Sequence, residues 1–266
     1  MNTTTPSRTQ AERADQTRAR ILEAAVRQFS ECGLAGARTE QIAEEAGVNK
    51  ALLYYYFKSK DDLYEAALDS VFESVQADNI NVLQADASAG ERFVQIVLRN
   101  FDRSYSHPSL RSLMQQEMVR LHKGEQNRLA PMADNFFRPL WVMVDQVLEE
   151  GIASGELIQV DPSQMRYAAL GANILYFLSA PLTRLALGID PLEQGELARR
   201  RKLAMEYLGQ TIFADREYGA RVAARVLAAT PMPRHIDSPA VPPRKAGVRG
   251  HNIDVAQTSA TEVRHK

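Results

Sequence analysis

The segment RTEQIAEEAGVNKALLYYYFKSKDDLYEAAL, residues 38–68, carries the local signals for two short helices joined by a tight turn. Gly47 suits the left-handed conformation just past the C-terminus of a first helix, TEQIAEEA. Asn49 is then the N-cap of a second helix. Val48 and Leu53 occupy the N′ and N4 positions of a hydrophobic staple, which fixes the angle at which the chain enters that helix. This arrangement predicts a helix-turn-helix unit.

The second helix of this unit is expected to leave most of its three consecutive tyrosines exposed. Successive residues turn by about 100° around a helix, so Leu53 and Phe57 share one face, which we assign to the core. Tyr55 then points almost directly away from that face, with Tyr54 and Leu52 on its flanks. An exposed tyrosine favours a partner with both apolar and polar character, such as a groove of stacked bases and phosphates. A second helix or a dimer partner covering this face is the alternative.

The rest of the chain has apolar residues at helical spacing and few Gly or Pro residues up to about residue 215, which predicts an all-α fold. Before the helix-turn-helix, Leu22, Ala25, Val26 and Phe29 form one apolar stripe of a helix. The expected helices outside the unit are 16–32, 59–76, 89–106, 109–122, 131–153, 163–186 and 191–229. We therefore divide the chain into a flexible basic arm (1–15), a three-helix domain that contains the helix-turn-helix (16–76), a larger helical domain (77–229) and a disordered basic tail (230–266).

Composition excludes several classes of protein. The longest apolar run, residues 168–182, is too short for a membrane span, and the polar N-terminus lacks the apolar segment of a signal peptide, so we expect a cytoplasmic protein without membrane contact. A single cysteine and five scattered histidines give no disulfide framework and no metal site. Residues 1–60 hold nine Lys and Arg against seven Asp and Glu, residues 61–215 fourteen against twenty-two, and residues 216–266 nine against four. Both ends are thus basic, which permits contact with a polyanion.

Residues 16–76 closely resemble the DNA-binding segment of TetR-type transcriptional regulators. Twelve residues stand at the separations typical of that family: Ile42, Ala43, Ala46, Gly47, Val48, Lys50, Leu53, Tyr54, Phe57, Ser59, Lys60 and Leu63. Two positions depart from the pattern. Asn49 replaces the usual serine, a neutral exchange at an N-cap, whereas Leu52 replaces the usual Thr or Ser and can offer only an apolar contact, such as one to a thymine methyl group.

The resemblance implies a division of contacts with double-stranded DNA. Thr39 is expected to bind a phosphate through its hydroxyl group. Contacts to the DNA backbone are expected from Lys50, Tyr54, Tyr56 and Lys60. Base-edge contacts in the major groove are expected from Ala51, Leu52 and Tyr55. A basic arm or an edge of the first helix could also lie near the duplex through Arg8, Arg13, Arg18 and Arg20, but a solvated surface is the favoured interpretation for any single one of them.

The resemblance also implies that the larger domain forms a homodimer and binds a small-molecule effector of unknown identity, with no cofactor. A homodimer suits a palindromic operator with two half-sites. The residues expected in the dimer interface are Ala168, Ala172, Tyr176 and Met205. The residues expected to line an effector pocket are Phe101, Tyr105, Met114, Met118, Phe137 and Trp141. Plain core packing remains the default interpretation for each of these aromatic and methionine residues.

The function expected on this basis is that of a repressor that leaves its operator when the effector binds. An activator, or a protein of the same fold that acts in DNA architecture or protein interaction without a small-molecule switch, is the alternative. An enzyme is disfavoured, because the sequence contains none of the GxGxxG, P-loop, GxSxG or HExxH motifs.

Overall fold

The structure of the chain, a computed structural model, describes residues 10–83, 86–125 and 129–234. Most of these residues are helical, and the extended pairing found among them is one isolated antiparallel bridge between Leu157 and Phe213. The helices are α1 (Gln10–Gly36), α2 (Thr39–Glu45), α3 (Lys50–Tyr56), α4 (Lys60–Leu83), α5 (Ala89–Ser106), α6 (Pro108–His122), α7 (Leu129–Met132), a π-helical turn (Ala133–Phe137), α8 (Arg138–Ala153), α9 (Pro162–Leu178), α10 (Ala180–Leu187), α11 (Gln194–Ile212) and α12 (Arg216–Ala229). The predicted all-α fold is confirmed.

The first hydrophobic core joins α1 to α4 into one N-terminal unit. Its largest fully buried side chains are Ile21, Leu22, Phe29, Ile42, Leu53, Leu63, Tyr64 and Leu68. The rings of Phe29 and Tyr64 meet edge to face with 4.8 Å between centroids, which packs α1 against α4. Leu113 of α6 is buried in the same core. The N-terminal unit therefore shares its core with the following domain rather than standing apart from it.

The second core forms the centre of the C-terminal domain, where α5 packs against α8, α9, α11 and α12. It is built around Phe93, Val94, Leu98, Val144, Leu148, Phe213 and Val222. Helices α11 and α12 come so close that a Cβ atom on Gly219 would lie 2.0 Å from the carbonyl oxygen of Gly209. Only glycine fits this crossing, since real Cβ atoms do not come closer than 3.0 Å to such neighbours.

The third core is small and aromatic. It consists of Phe101 of α5, Phe177 of α9 and Leu197 of α11; the side chains packed on its edge are Tyr105, Tyr176, Leu192 and Met232. The next residue of α5, Asp102, accepts two hydrogen bonds from Arg201 of α11, at 2.6 and 2.8 Å. Burial raises the pKa of Asp102, although the hydrogen bonds and charge of Arg201 act in the opposite direction. Arg201 also donates to the carbonyl of Thr230 and so holds the chain just after α12.

The helix boundaries differ from the sequence prediction in several places. The expected helix 131–153 contains the π-helical turn Ala133–Phe137, and the first helix ends at Gly36 rather than at residue 32. α1 begins at Gln10, so residues 10–15 are helical rather than part of a flexible arm. α4 continues to Leu83, beyond the expected end at residue 76. The expected helix 163–186 is divided at Ser179, where α9 and α10 meet at a bend of 59° and Pro181 lies in the first turn of α10. The expected helix 191–229 is divided into α11 and α12 at residues 213–215.

The disordered tail was expected from residue 230, but Thr230 is held by Arg201 and Met232 packs on the third core, so residues 230–232 belong to the folded domain. The remaining expectations about the chain ends concern residues 1–9 and 235–266, which lie outside the described residues. Within the described residues, no single helix combines the length and the apolar character needed to cross a membrane. The helices α9 and α10 meet those two criteria only when they are taken together as a bent pair.

Candidate nucleic-acid interface

The turn between α2 and α3 is fixed by the signals that predicted it. Gly47 adopts a left-handed conformation with φ of 65°, and the backbone N–H of Val48 returns to the carbonyl of Ala43 at 2.9 Å. The Asn49 side chain accepts a hydrogen bond from the backbone N–H of Leu52 at 2.7 Å and so caps α3. These local bonds set the direction of α3 relative to α2.

One side of α3 is buried and the other is open. Leu53 is fully buried, whereas Tyr55 on the opposite side is 81% exposed. Tyr54 and Leu52 are 38% and 37% exposed, and Ala51 is exposed as well. We refer to Ala51, Leu52, Tyr54 and Tyr55 as the tyrosine face. No other element of the described chain covers the side chain of Tyr55, so the alternative of burial within the same subunit does not apply to it.

Tyr56 differs from its two neighbours. It is half-buried and packs against the first core, while its ring meets that of Tyr55 edge to face at 5.5 Å. This contact gives the exposed ring of Tyr55 lateral support. Tyr56 thus lies at the border between the core and the tyrosine face, as the helical geometry predicts.

A cluster of polar side chains from α2 and α3 lies beside the tyrosine face. Thr39, at the first position of α2, is buried, and its hydroxyl lies 3.2 Å from the Tyr54 hydroxyl. Lys50 forms an ion pair with Glu40, and its ammonium group lies 5.9 Å from the centre of the Tyr54 ring. The hydrogen bond between the two charged groups raises the pKa of Lys50 and lowers that of Glu40. In the free protein, therefore, both the Thr39 hydroxyl and the Lys50 ammonium already have partners.

Lys60 begins α4, and its ammonium group donates to the carbonyl of Ala35 near the end of α1 at 3.2 Å. Ser59 caps α4 by accepting from the backbone N–H of Asp62 at 3.0 Å. The Asp62 side chain accepts in turn from the backbone N–H of Lys58 at 2.9 Å. The Lys60 ammonium group carries three donors and the Ala35 carbonyl accepts from one of them, so the group can also donate to a further partner.

The first helix contributes arginines to the same region. The Arg20 guanidinium lies beside the turn, 3.3 Å from where a Cβ atom on Gly47 would stand. Arg13 and Arg20 line an open groove of about 500 Å³ along α1, together with Glu23. Arg18 instead lies over the Phe57 ring at 5.4 Å. The sequence did not separate these arginines, because only the tertiary structure shows which of them reaches the turn.

The six residues predicted for an effector pocket are distributed over two cores and the surface. Phe101 and Tyr105 belong to the third core. Met114 and Phe137 pack against the first core. Met118 and Trp141 are 53% and 38% exposed. The rings of Phe137 and Trp141 meet at 5.7 Å, whereas Phe101 and Tyr105 lie apart from them in another core, so a single pocket lined by all six stays a prediction.

The four residues predicted for a dimer interface also differ in exposure, since two lie on the surface and two are wholly or partly buried. Ala168 and Ala172 are exposed on α9. Tyr176 is half-buried against the third core, and Met205 is 1% exposed within the second core, so Met205 is covered by its own subunit. Large exposed apolar side chains that the prediction did not name lie on α9, α10 and α11: Tyr167, Ile174, Leu175, Leu178, Leu182, Leu185, Leu203 and Tyr207. We refer to these eight residues as the apolar face.

The junction between the N-terminal unit and the C-terminal domain is polar and partly buried. Glu117 of α6 is 2% exposed and accepts a hydrogen bond from the Tyr64 hydroxyl of α4 at 2.7 Å. Arg120 approaches the same carboxylate at 3.2 Å. The carbonyl of Ser30 in α1 accepts hydrogen bonds from α6, from the Ser112 hydroxyl at 2.6 Å and from the Gln116 amide at 3.0 Å. Helix α6 is thereby tied to both long helices of the N-terminal unit.

Comparison with known proteins gives matches over both parts of the chain. Residues 21–67 match the model of bacterial regulatory proteins of the tetR family, and residues 91–208 match that of the tetracyclin repressor-like C-terminal domain. The HTH-type transcriptional repressor NicS of Pseudomonas putida is 28% identical over 170 residues, which cover 64% of this chain and 79% of the relative. The HTH-type transcriptional regulator RutR of Escherichia coli is 29% identical over 172 residues, which cover 63% and 77%.

Solved structures share the fold at lower identity. A gamma-butyrolactone receptor (ArpA-like protein) superimposes with a TM-score of 0.59 at 19% identity, over 82% of this chain and all of the receptor chain. A transcriptional regulator from Saccharomonospora viridis in complex with choline gives a TM-score of 0.62 at 18% identity, over 77% of this chain and all of the other. At these identities the likeness concerns the fold alone.

Proposed function

Because the chain belongs to the TetR family of DNA-binding transcriptional regulators, we propose that it acts as a homodimeric repressor that binds a palindromic operator and is released by a small-molecule effector. The observation that carries the proposal is the tyrosine face. Tyr55 is 81% exposed and lies beside the exposed side chains of Leu52 and Tyr54, and a contiguous apolar patch of this kind marks an interaction site. The position of this face on the second helix of a helix-turn-helix unit favours the major groove of DNA as that partner.

The contacts are assigned by the chemistry of each side chain. Tyr55, Ala51 and Leu52 lie against base edges, where the apolar atoms of Leu52 suit a thymine methyl group. Lys50, Tyr54, Tyr56, Lys60 and Thr39 bind the phosphate backbone. For Lys50 this requires that a DNA phosphate replace the Glu40 carboxylate as the partner of its ammonium group. The exchange is feasible because the ion pair is exposed to water and therefore weak.

A homodimer is supported by the apolar face of α9, α10 and α11. Leu185 is 86% exposed and Tyr207 71% exposed, which is costly in water for residues of this size. One short helix reads only a few base pairs, so two copies are needed to recognise half-sites about 34 Å apart. A second copy of the chain on this face supplies both the missing cover and the second reading helix.

Release by an effector requires a connection between the two parts of the chain, and α6 provides a candidate. A ligand that moves α6 displaces its contacts with Tyr64 and Ser30, on α4 and α1. Such a movement changes the spacing of the two α3 helices in the dimer and hence the affinity for the operator. The apparent affinity changes only if the ligand binds the two arrangements unequally.

The proposal is tested by recovering genomic DNA fragments bound by the purified protein and measuring affinities on the strongest fragment. We expect a palindromic site. Across a panel of base substitutions in that site, Tyr55→Ala should change the order of preference, whereas Lys60→Ala should weaken binding on all sequences alike.

Two matched variants act as controls. Tyr55→Phe keeps the ring and should retain the original preference, and Lys123→Ala removes an exposed lysine at the end of α6 and should leave binding unchanged. A uniform loss with both Tyr55→Ala and Lys60→Ala would refute the division of contacts. Absence of duplex affinity at low salt would refute the function itself.

A further inference from the structure

Two arginines from different helices approach the aromatic third core. The rings of Phe101, Tyr176 and Phe177 form a group with centroids 5.1 to 6.0 Å apart. The Arg111 guanidinium of α6 lies over the Phe177 ring at 5.0 Å, and that of Arg200 on α11 lies over the Tyr176 ring at 5.5 Å. Two positive charges thus lie on one aromatic group inside the C-terminal domain.

Among the described residues, neither of these guanidinium groups is paired with a carboxylate. Arg111 is half-buried and donates to the backbone carbonyl of Ser104. Burial lowers its pKa, and no acidic group offsets that effect. Arg200 is also half-buried, and its Nε–H is shielded from solvent without a hydrogen-bond partner. Both arginines therefore retain donors that an anion would satisfy.

Neighbouring arginines are each paired with a carboxylate, as buried arginines usually are. Arg201, the residue after Arg200, forms a bidentate pair with Asp102, and Arg166 on α9 pairs with Asp145 at 2.8 Å. Carboxylates do occur close to the third core, but they have other partners: Asp190 pairs with Arg184 at 2.8 Å, and Glu196 lies 3.7 Å from Arg199. Burying a cation without a carboxylate partner costs free energy. Two half-buried guanidinium groups on one aromatic group therefore favour the binding of an anion between them.

We propose that the third core and its two arginines form the effector site, and that the effector is a small organic anion in which a carboxylate is joined to a flat apolar group. This inference rests on the proposed function and adds the chemical class of the effector. Arginine binds carboxylates through two parallel hydrogen bonds, which gives both affinity and orientation. The aromatic rings of the third core suit stacking against a flat ligand.

The location also connects the ligand to DNA binding. Arg111 is on α6, and the same helix carries Glu117 and Gln116, which bind the N-terminal unit. An anion that draws Arg111 towards Arg200 pulls on α6 directly. On the outer edge of the site, Met232 packs against the rings just after the segment held by Arg201. The apolar part of the ligand takes the place of this methionine side chain.

The inference is tested by calorimetric titration of the full-length protein, without DNA, with four probes: benzoate and phenylacetate, and their neutral amides benzamide and phenylacetamide. We expect saturable binding of at least one carboxylate, and binding of the matching amide weaker by about tenfold or more, since the amide lacks the charge. Arg111→Gln and Arg200→Gln should each weaken carboxylate binding about tenfold or more, and Arg111→Lys, which keeps the charge but loses the planar fork, should fall between.

Arg221→Gln provides the matched control, because Arg221 is an exposed arginine on α12 and its loss should change nothing. Thermal unfolding of each variant shows whether it is folded, and the Arg200→Gln result decides the matter if Arg111→Gln fails to fold. Equal affinities for carboxylate and amide, undiminished binding by the folded variants, or no binding of either carboxylate up to about 10 mM would overturn the inference.

Failure of this inference is distinct from failure of the proposed function. Binding of genomic DNA without carboxylate binding overturns the effector class alone. Carboxylate binding without DNA binding overturns the proposed repressor function, and with it the role of this site as an effector site. If both occur, addition of the carboxylate to the protein–DNA complex should release the DNA, and unchanged DNA binding at saturating carboxylate would contradict the effector role.

Discussion

Replacing Glu40 by glutamine should strengthen DNA binding. Glu40 holds the ammonium group of Lys50 in an ion pair, so a phosphate must compete with this carboxylate for the same donor. The carboxylate also adds a negative charge next to the DNA backbone. Exposed ion pairs of this kind are worth a factor of about one to five in an equilibrium constant, which gives a gain of about threefold per subunit. A dimer with two half-sites should then gain about tenfold, provided that the subunits contribute independently.

The measurement is fluorescence anisotropy of a labelled operator fragment over a range of salt concentrations. The gain should be similar on all operator variants, because phosphates carry no sequence information, and it should shrink as salt rises. Glu217→Gln is the control: it makes the same change in net charge on α12, where Glu217 is 92% exposed at its side chain and remote from α3. Unchanged or weaker binding by Glu40→Gln, or an equal gain with Glu217→Gln, would refute this account of Lys50.

Three further predictions concern stability and assembly. Asp102→Asn should lower the free energy of unfolding by about 3 kcal/mol, because it leaves the buried guanidinium group of Arg201 without its counter-charge. Asp134→Asn is the control, since its ion pair is exposed, and it should lower that free energy by less than about 0.5 kcal/mol. Urea unfolding measures both changes. Gly219→Ala should destabilise the protein by about 2 kcal/mol or more, since the added methyl group meets the backbone of the facing helix α11. Gly195→Ala is the control, because the space there is open, and it should be neutral or slightly stabilising. A Gly219→Ala protein as stable as the wild type in thermal unfolding would contradict the close contact between α11 and α12. Leu185→Glu should convert the dimer to a monomer in light scattering at micromolar concentration, and a dimer that persists would place the interface elsewhere.

The DNA-binding unit could be predicted from the sequence because its geometry depends on local signals. Gly47 and Asn49 act within a few residues of themselves, and the capping bond from Asn49 forms as the N-cap rule requires. Leu53 and Phe57 are buried and Tyr55 is exposed because helical periodicity alone separates their faces. Each of these features depends only on residues that are close together in the sequence, so it could be predicted without the rest of the chain.

The C-terminal domain could be predicted only in outline. Apolar periodicity gave helices, but the divisions at Ser179 and near Asp215 depend on capping signals inside long apolar patterns: Pro181 in the first turn of α10 and the Asp215 side chain, which accepts from two backbone N–H groups of α12. Residue type also does not show which core a side chain enters. Met205 was assigned to an interface for this reason and lies instead inside its own subunit.

The unpaired arginines are a further example. Arg200 and Arg201 are adjacent in the sequence, yet within the described part of the chain only Arg201 meets a carboxylate. The difference arises from Asp102, which lies about a hundred positions away on α5. No local pattern distinguishes the two arginines, because the pairing is a property of how α5 and α11 pack.

The length of α1 gives the hydrogen bonds at Ser30 an effect beyond their immediate surroundings. About twenty residues separate Ser30 from the first described residue, Gln10, and at 1.5 Å per residue this part of the helix is about 30 Å long. Because α6 holds this helix at Ser30, a displacement of α6 would tilt α1 about that point, as a lever tilts about its pivot. A tilt of about 5° at the pivot moves the far tip by about 2.5 Å, close to half of one helical turn. Small rearrangements around Ser112 and Gln116 are therefore amplified along the lever.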